Sequence, residues 1–155
     1  MTRFGERGGW WVVAQFALMG ITVGVGLLPP RWPDRLVDWL AVAGAVLAFA
    51  GAVFAYLAAH ELGRGLTPFP EPARRGELVE SGPYRFVRHP IYLAGLVFFV
   101  GYALFAGPLS LAGTAVLGLL WARKATLEER LLRLRYDEYA AYERRVRWRL
   151  VPGVW

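Results

Sequence analysis

Residues 78–92 read LVESGPYRFVRHPIY, a polar, arginine-bearing stretch that ends where an apolar run begins. Pro90 has no N–H to lose and a preset φ, so it suits the first position of a helix continuing through Ile91, Tyr92, Leu93, Leu96, Val97 and Phe98. His89 then stands at the cap. Free N–H groups and the positive dipole end gather at a helix start, so with Arg85, Arg88 and the hydroxyls of Tyr84 and Tyr92 the stretch reads as a holder of an anionic group. The same residues fit a plainer reading, in which Arg85 and Arg88 are cytoplasmic flank charges and Tyr84, Phe86 and Tyr92 form an interfacial aromatic belt.

Downstream lie two apolar runs, 91–106 and 109–122, split by Gly107-Pro108. At about 24 and 21 Å each is short for a lone span, so they are expected to cross as a short helical hairpin extended by flanking residues. Beyond Ala122, RKATLEERLLRLRYDEY keeps Leu127, Leu131 and Leu134 at helical spacing with charges on the other faces, which predicts a C-terminal cytoplasmic helical segment. Upstream, 60–90 is polar and broken by Gly and Pro, a cytoplasmic loop carrying Arg64, Arg74, Arg75, Arg85 and Arg88. Before it, 39–59 is apolar, with Gly44, Ala48, Gly51, Ala52 and Ala55 at steps that let helices approach closely in lipid. Asp34 or Asp38 is expected to cap that helix. The first run, 10–28, is free of charge and about as long as a hydrocarbon core is thick. Its head, MTRFGERGG, lacks a small-residue cleavage motif and is not read as a removed signal peptide.

Composition agrees. The chain of 155 residues is 56% hydrophobic and only 19% charged, too apolar for an ordinary soluble domain. Its net charge of +6 does not point to nucleic acid, because the arginines flank apolar segments and no nucleic-acid motif is visible; anionic lipid headgroups are the expected counter-charge. Without Cys there is no disulfide or thiolate chemistry, and two His make a poor metal site. With the N-terminus inside, sixteen Lys and Arg fall on the cytoplasmic side and only Arg31 and Arg35 outside. The expected fold is therefore an all-α integral membrane protein: one domain over 1–155, four transmembrane helices, both termini cytoplasmic, all polar chemistry on one membrane face.

A second chemical feature is Glu128-Glu129, four and five residues beyond Lys124. A Glu at the foot of a membrane helix can accept the ammonium of an amino-acid-like cofactor, while Lys124, one turn earlier on the same face, can meet a substrate anion. Glu129 and Arg130 also fit an exposed, energetically minor pair on a solvated face.

The string SGPYRFVRHPIY, then Gly107-Pro108, then KATLEERLL, then Tyr139, Tyr142, Val146 and Pro152, resembles the isoprenylcysteine carboxyl methyltransferase and phospholipid methyltransferase superfamily. The resemblance covers roughly 76–152 and implies an integral membrane enzyme using S-adenosyl-L-methionine, its cofactor site built from 76–92 and 123–152. It implies that Leu78, Val79, Tyr84, His89, Pro90, Tyr92 and Glu128 border or bind the cofactor. Three departures stand out: Lys124, with Arg123 beside it, occupies the place of an arginine that meets the substrate carboxylate in the prenylcysteine enzymes, and Lys cannot fork onto a carboxylate as Arg does. Ala94 occupies a position that is often Gly in the family. Tyr136-Asp137 replaces a usual Phe-Gly.

The chemistry this implies is in-line methyl transfer from a sulfonium to a lipophilic acceptor, in which the protein positions the reactants and excludes water. A carboxylate acceptor, the favoured one, needs no base; an amine, as in phospholipid N-methylation, needs one, with His89 or Glu129 the candidates. Catalytic roles are thus expected for His89, Lys124 and Glu129. The acceptor is expected to enter from the bilayer between the third and fourth helices, with the site facing the cytoplasm across a bacterial inner membrane. A nicotinamide-dependent, sterol-reductase-like enzyme would be expected to have a longer chain with more spans, and a non-catalytic scaffold or transporter a polar residue within a span, whereas no Asp, Glu, Lys or Arg lies inside the four runs.

Overall fold

A computed structural model describes residues 4, 5, 7–73 and 76–154; Arg3, Arg74 and Arg75, counted above among the cytoplasmic charges, lie outside them. The described residues form five α-helices and no strand: α1 (Gly9–Gly26), α2 (Asp34–Leu62), α3 (Pro90–Ala106), α4 (Leu109–Arg135) and α5 (Tyr139–Arg145). Short 3₁₀ turns occupy Gly63–Gly65 and Gly82–Arg85. α1 and α2 are long and apolar enough to cross a membrane, and α3 is a shorter apolar helix. Their outward faces carry Trp10, Phe16, Trp39, Phe49 and Tyr56, each more than half exposed, an apolar surface suited to lipid rather than water.

α2 packs on α3, α3 on α4 and α4 on α1, so the helices stand in the order α2, α3, α4, α1. The small residues explain the tight α2–α3 seam: a Cβ on Gly51 would lie 2.6 Å from the backbone nitrogen of Phe98, and one on Gly44 2.5 Å from the carbonyl oxygen of Gly101. Only glycine lets two backbones come this close. The α3–α4 seam is filled instead by Phe99, Leu117 and Trp121, with the Thr114 hydroxyl donating to the Ser110 and Phe99 carbonyls at 2.7 and 3.3 Å.

At the end remote from the polar loop, Arg31 donates to the carbonyls of Gly26, Leu27 and Ala106. It thereby caps the C-termini of α1 and α3, where orphan carbonyls and the negative dipole end favour a cation. Neither Asp34 nor Asp38 caps α2: Pro33 is the N-cap and makes no side-chain bond, and Asp34 lies in the first turn, where its charge meets the dipole.

α4 runs unbroken to Arg135, as its sequence predicts, but its facing is the reverse of the expected one. Leu127 and Leu131 are only half-buried and Leu134 is 85% exposed, whereas Trp121, Lys124, Ala125 and Glu129 form the buried stripe. The charges turn inward because partners wait for them there.

Candidate active site

Pro90 opens α3 and His89 is its N-cap, as the sequence indicates, yet the His89 side chain makes no capping bond. The terminus is closed by another segment: the backbone N–H groups of Arg88 and His89 donate to the carbonyls of Trp148 and Arg149 at 2.9 and 3.0 Å. Arg88 is buried, donating to Glu129 Oε1 (2.8 Å) and to the carbonyls of Val146 and Arg147. Arg85 is exposed. The expected anion holder is thus not built, because its N–H groups and its buried arginine are already occupied.

In its place stands a histidine between two carboxylates. His89 Nδ1 lies 3.4 Å from Glu128 Oε2, and Nε2 lies 3.3 Å from Glu129 Oε1. Burial lowers the affinity of the ring for a proton, but hydrogen bonding to both carboxylates outweighs it and raises the His89 pKa above 6.5. With both nitrogens facing acceptors, the imidazolium is the form that satisfies the site.

Glu129 is fully buried, not solvated as an exposed pair would be. It receives Arg88 and His89 on Oε1, and Arg149 Nη2 lies 2.7 Å from Oε2. Burial alone would raise its pKa; hydrogen bonds from His89, Arg88 and Arg149 reverse that and lower it to about 2. Glu128 points elsewhere, accepting from the Tyr92 hydroxyl at 2.5 Å. Lys124, 1% exposed, donates to Gln15 Oε1 and the Pro68 carbonyl, both at 2.7 Å, and sits 3.9 Å from Glu128. Burial lowers its pKa, opposed by Glu128. The rings of His89, Tyr92 and Trp121 stack in sequence at 5.6 and 5.7 Å between centroids.

These groups border a cavity of about 430 Å³, a size that suits a small-molecule ligand. Leu78, Val79, Tyr84, His89, Tyr92, Lys124 and Glu128 line it; Pro90 and Glu129 do not, being packed behind the wall. The wall also includes residues not singled out from sequence, Gln15 of α1, the 65–73 loop and Leu132, together with Tyr136, noted in the sequence only as a departure from the family pattern. Tyr139 and Tyr142 complete it, packed with Val146 against Leu78, Leu132 and Tyr136. Tyr142 donates to the Tyr84 carbonyl and Tyr136 to the Gly76 carbonyl, whereas the buried Tyr139 hydroxyl has no partner among the described residues.

A second, apolar cavity of about 320 Å³ adjoins the first, and Gln15, Ile91 and Tyr92 belong to both walls. It is framed by α1, α2 and α3, with Trp121 at its edge. In the seam between α3 and α4, where entry is expected from sequence, Phe99, Leu117 and Trp121 pack together and the Trp121 ring sits on Gly95.

Apolar helices, with a cavity carrying charged side chains at one end and a more apolar cavity beside it, describe a membrane-associated protein with a cavity of small-molecule size. Residues 39–139 match the family model described as phospholipid methyltransferase, and the chain belongs to that family, within the isoprenylcysteine carboxyl methyltransferase-like superfamily. It is 34% identical over 142 residues to the cobalt-zinc-cadmium resistance protein CzcN of Cupriavidus metallidurans, covering 89% of this chain and 60% of that protein. It is 27% identical over 138 residues to the nickel-cobalt-cadmium resistance protein NccN of Alcaligenes xylosoxydans xylosoxydans, covering 88% and 60%. The chain therefore spans about 60% of the length of these curated relatives.

Proposed function

We propose that the protein transfers a methyl group from S-adenosylmethionine to the carboxylate of a lipophilic acceptor. The observation that carries this reading is the junction of the two cavities, one with the charged groups of Glu128 and Lys124 set in a largely apolar wall, the other almost wholly apolar, with Gln15, Ile91 and Tyr92 shared. A water-soluble donor and a greasy acceptor can meet there. The proposed architecture is one domain with four spans, both termini and the cavity lined by Glu128 and Lys124 on the cytoplasmic side of a bacterial inner membrane.

The residues present fit the donor. Glu128 is an acidic partner for its ammonium, the Tyr84 and Tyr92 rings can flank a sulfonium, and the unpartnered Tyr139 hydroxyl is the kind of buried polar group that a ligand satisfies. When bound, S-adenosylmethionine supplies a methyl group already activated on sulfur. The chain's own work is positioning and exclusion of water. His89 orients Glu128 from one side and Tyr92 from the other, while Glu129 holds His89 charged and ties Arg88 and Arg149 beneath the site.

The carboxylate is preferred over an amine because an amine must lose a proton and the two candidate bases are poor ones here. Glu129 is held at about 2 by its cationic partners, and the pKa of His89 is raised between two carboxylates. Lys124 needs its protons for the oxygens of Gln15 and Pro68. The names of the two relatives raise metal tolerance as a role; with no Cys and two His in the chain, we propose that any such role runs through methylation of a membrane component rather than metal binding.

The test is calorimetric titration of the purified protein with S-adenosylmethionine and with NADPH. Binding of S-adenosylmethionine alone is expected; binding of NADPH alone would replace the proposal with a reductase.

A further inference from the structure

Gln15 is a buried amide, 8% exposed, in an 18-residue helix whose other buried polar side chain, Thr22, bonds back to the Leu18 carbonyl. It lies outside the segment that matches the family, 39–139. A polar group placed there is costly unless it is paired. Its pairing is half complete. Lys124 can only donate, so the oxygen of the Gln15 amide must be the atom 2.7 Å from Nζ. The amide nitrogen then lies on the far side of the group with two N–H donors, and no described residue accepts from it. Gln15 stands in the walls of both cavities, so these donors sit where the cavity lined by Lys124 and Glu128 joins the apolar one.

We propose that Gln15 is the specificity-determining residue for the acceptor: its N–H donors, beside the Lys124 ammonium, receive the carboxylate of a lipophilic acid whose hydrocarbon tail fills the apolar cavity between α1, α2 and α3. This rests on the methyl-transfer reading and names the acceptor it would use. Charge complementarity selects the head: the junction offers a cation and neutral donors, with Glu128 3.9 Å from the lysine to repel a second anion placed on the donor side. The apolar wall, including Met19, Phe98, Phe99 and Trp121, selects the tail. In the transfer, a carboxylate oxygen forms the C–O bond as the methyl–sulfur bond breaks. The electron pair of that bond goes to sulfur, which leaves as a neutral thioether, and no proton moves. The ester so formed has lost the charge that Lys124 recognised, which favours its release.

The test uses the full chain in lipid nanodiscs with a diazirine-bearing hexadecanoic acid as photoprobe and the matching hexadecanol as control. Crosslinked residues are mapped by mass spectrometry for wild type, Gln15→Glu and Gln15→Leu. Gln15→Glu keeps an oxygen for Lys124 but replaces the two donors by an anion. It is expected to lower acid labelling of Met19 and Phe98 by about ten-fold or more, the size of a lost charged hydrogen bond, while alcohol labelling stays at the wild-type level and reports an intact cavity. Equal acid labelling in wild type and Gln15→Glu, or preferential labelling by an amine-bearing probe, overturns the inference. Failure of the methyl-transfer reading shows separately, as absence of S-adenosylmethionine binding by the wild-type protein.

Discussion

Glu128 and Glu129 are neighbours in the chain, and the same His89 ring touches both, Nδ1 at 3.4 Å from one and Nε2 at 3.3 Å from the other. One carboxylate lines the cavity and the other is sealed behind it among Arg88, His89 and Arg149. Adjacent residues on a helix diverge by roughly 100°, enough to put them on opposite sides of a single imidazolium.

Glu128→Gln and Glu129→Gln should therefore fail differently. Removing the Glu129 charge leaves buried cations uncompensated and is expected to cost about 3–5 kcal/mol of stability, read as a lowered Tm in detergent. Glu128→Gln should melt near wild type and bind S-adenosylmethionine at least about 30-fold more weakly, corresponding to loss of a charged partner worth about 2 kcal/mol or more. Indistinguishable melting curves and affinities for the two variants would sink this division.

The same cluster predicts a pH window. The His89 pKa is raised above 6.5, so its contribution to stability is complete below 6.5 and is lost as pH rises through the folded value. That of Glu129 is lowered from 4.5 to about 2, so its contribution is complete above 4.5 and is lost as pH falls toward 2. Tm should be highest between these limits, and His89→Gln should flatten the alkaline limb and, because His89 is one of the partners that lower the Glu129 pKa, also shrink the acid limb. An unchanged alkaline limb would mean that His89 does not titrate with folding.

Helix packing gives a prediction independent of the site. Gly51→Val places carbon 2.6 Å from the Phe98 backbone and should destabilise by about 1–3 kcal/mol or more. Gly24→Ala in α1 meets nothing within 4 Å and should be neutral or slightly stabilising. Thermal melts in one detergent compare the two directly, and an equal response would contradict the close α2–α3 seam.

How much of this was legible depended on range. Pro90 at a helix start, the Gly44 to Ala55 stripe and the continuation of α4 are local patterns, and local patterns survive into the structure. The burial of Glu129 is not local: its partners Arg88 and Arg149 lie far away in the chain, so adjacency to Arg130 suggested a solvated face. The Leu127, Leu131, Leu134 stripe misled for a related reason. Helical periodicity finds an apolar face, but in a membrane-associated chain that face can turn outward while the charged one turns in. Gln15 was hidden by its own chemistry, since one amide in a run of apolar residues carries no motif and gains meaning only from Lys124, 109 residues on.

The Tyr139 hydroxyl supplies a final prediction with an unusual sign. It is buried in the cavity wall with no partner among the described residues, and burial raises its pKa, so at neutral pH it is an O–H waiting for an acceptor. Leaving such a group unmatched costs free energy, and removing it costs nothing in packing because Tyr and Phe differ only by that oxygen. Tyr139→Phe should therefore melt at or above the wild-type temperature without ligand. If a cofactor oxygen or carboxylate completes the bond, the same variant should bind S-adenosylmethionine more weakly by about 0.5–1.5 kcal/mol, roughly a two- to ten-fold rise in Kd. Stability and affinity moving in opposite directions would distinguish a ligand-facing hydroxyl from a structural one, for which both would fall together.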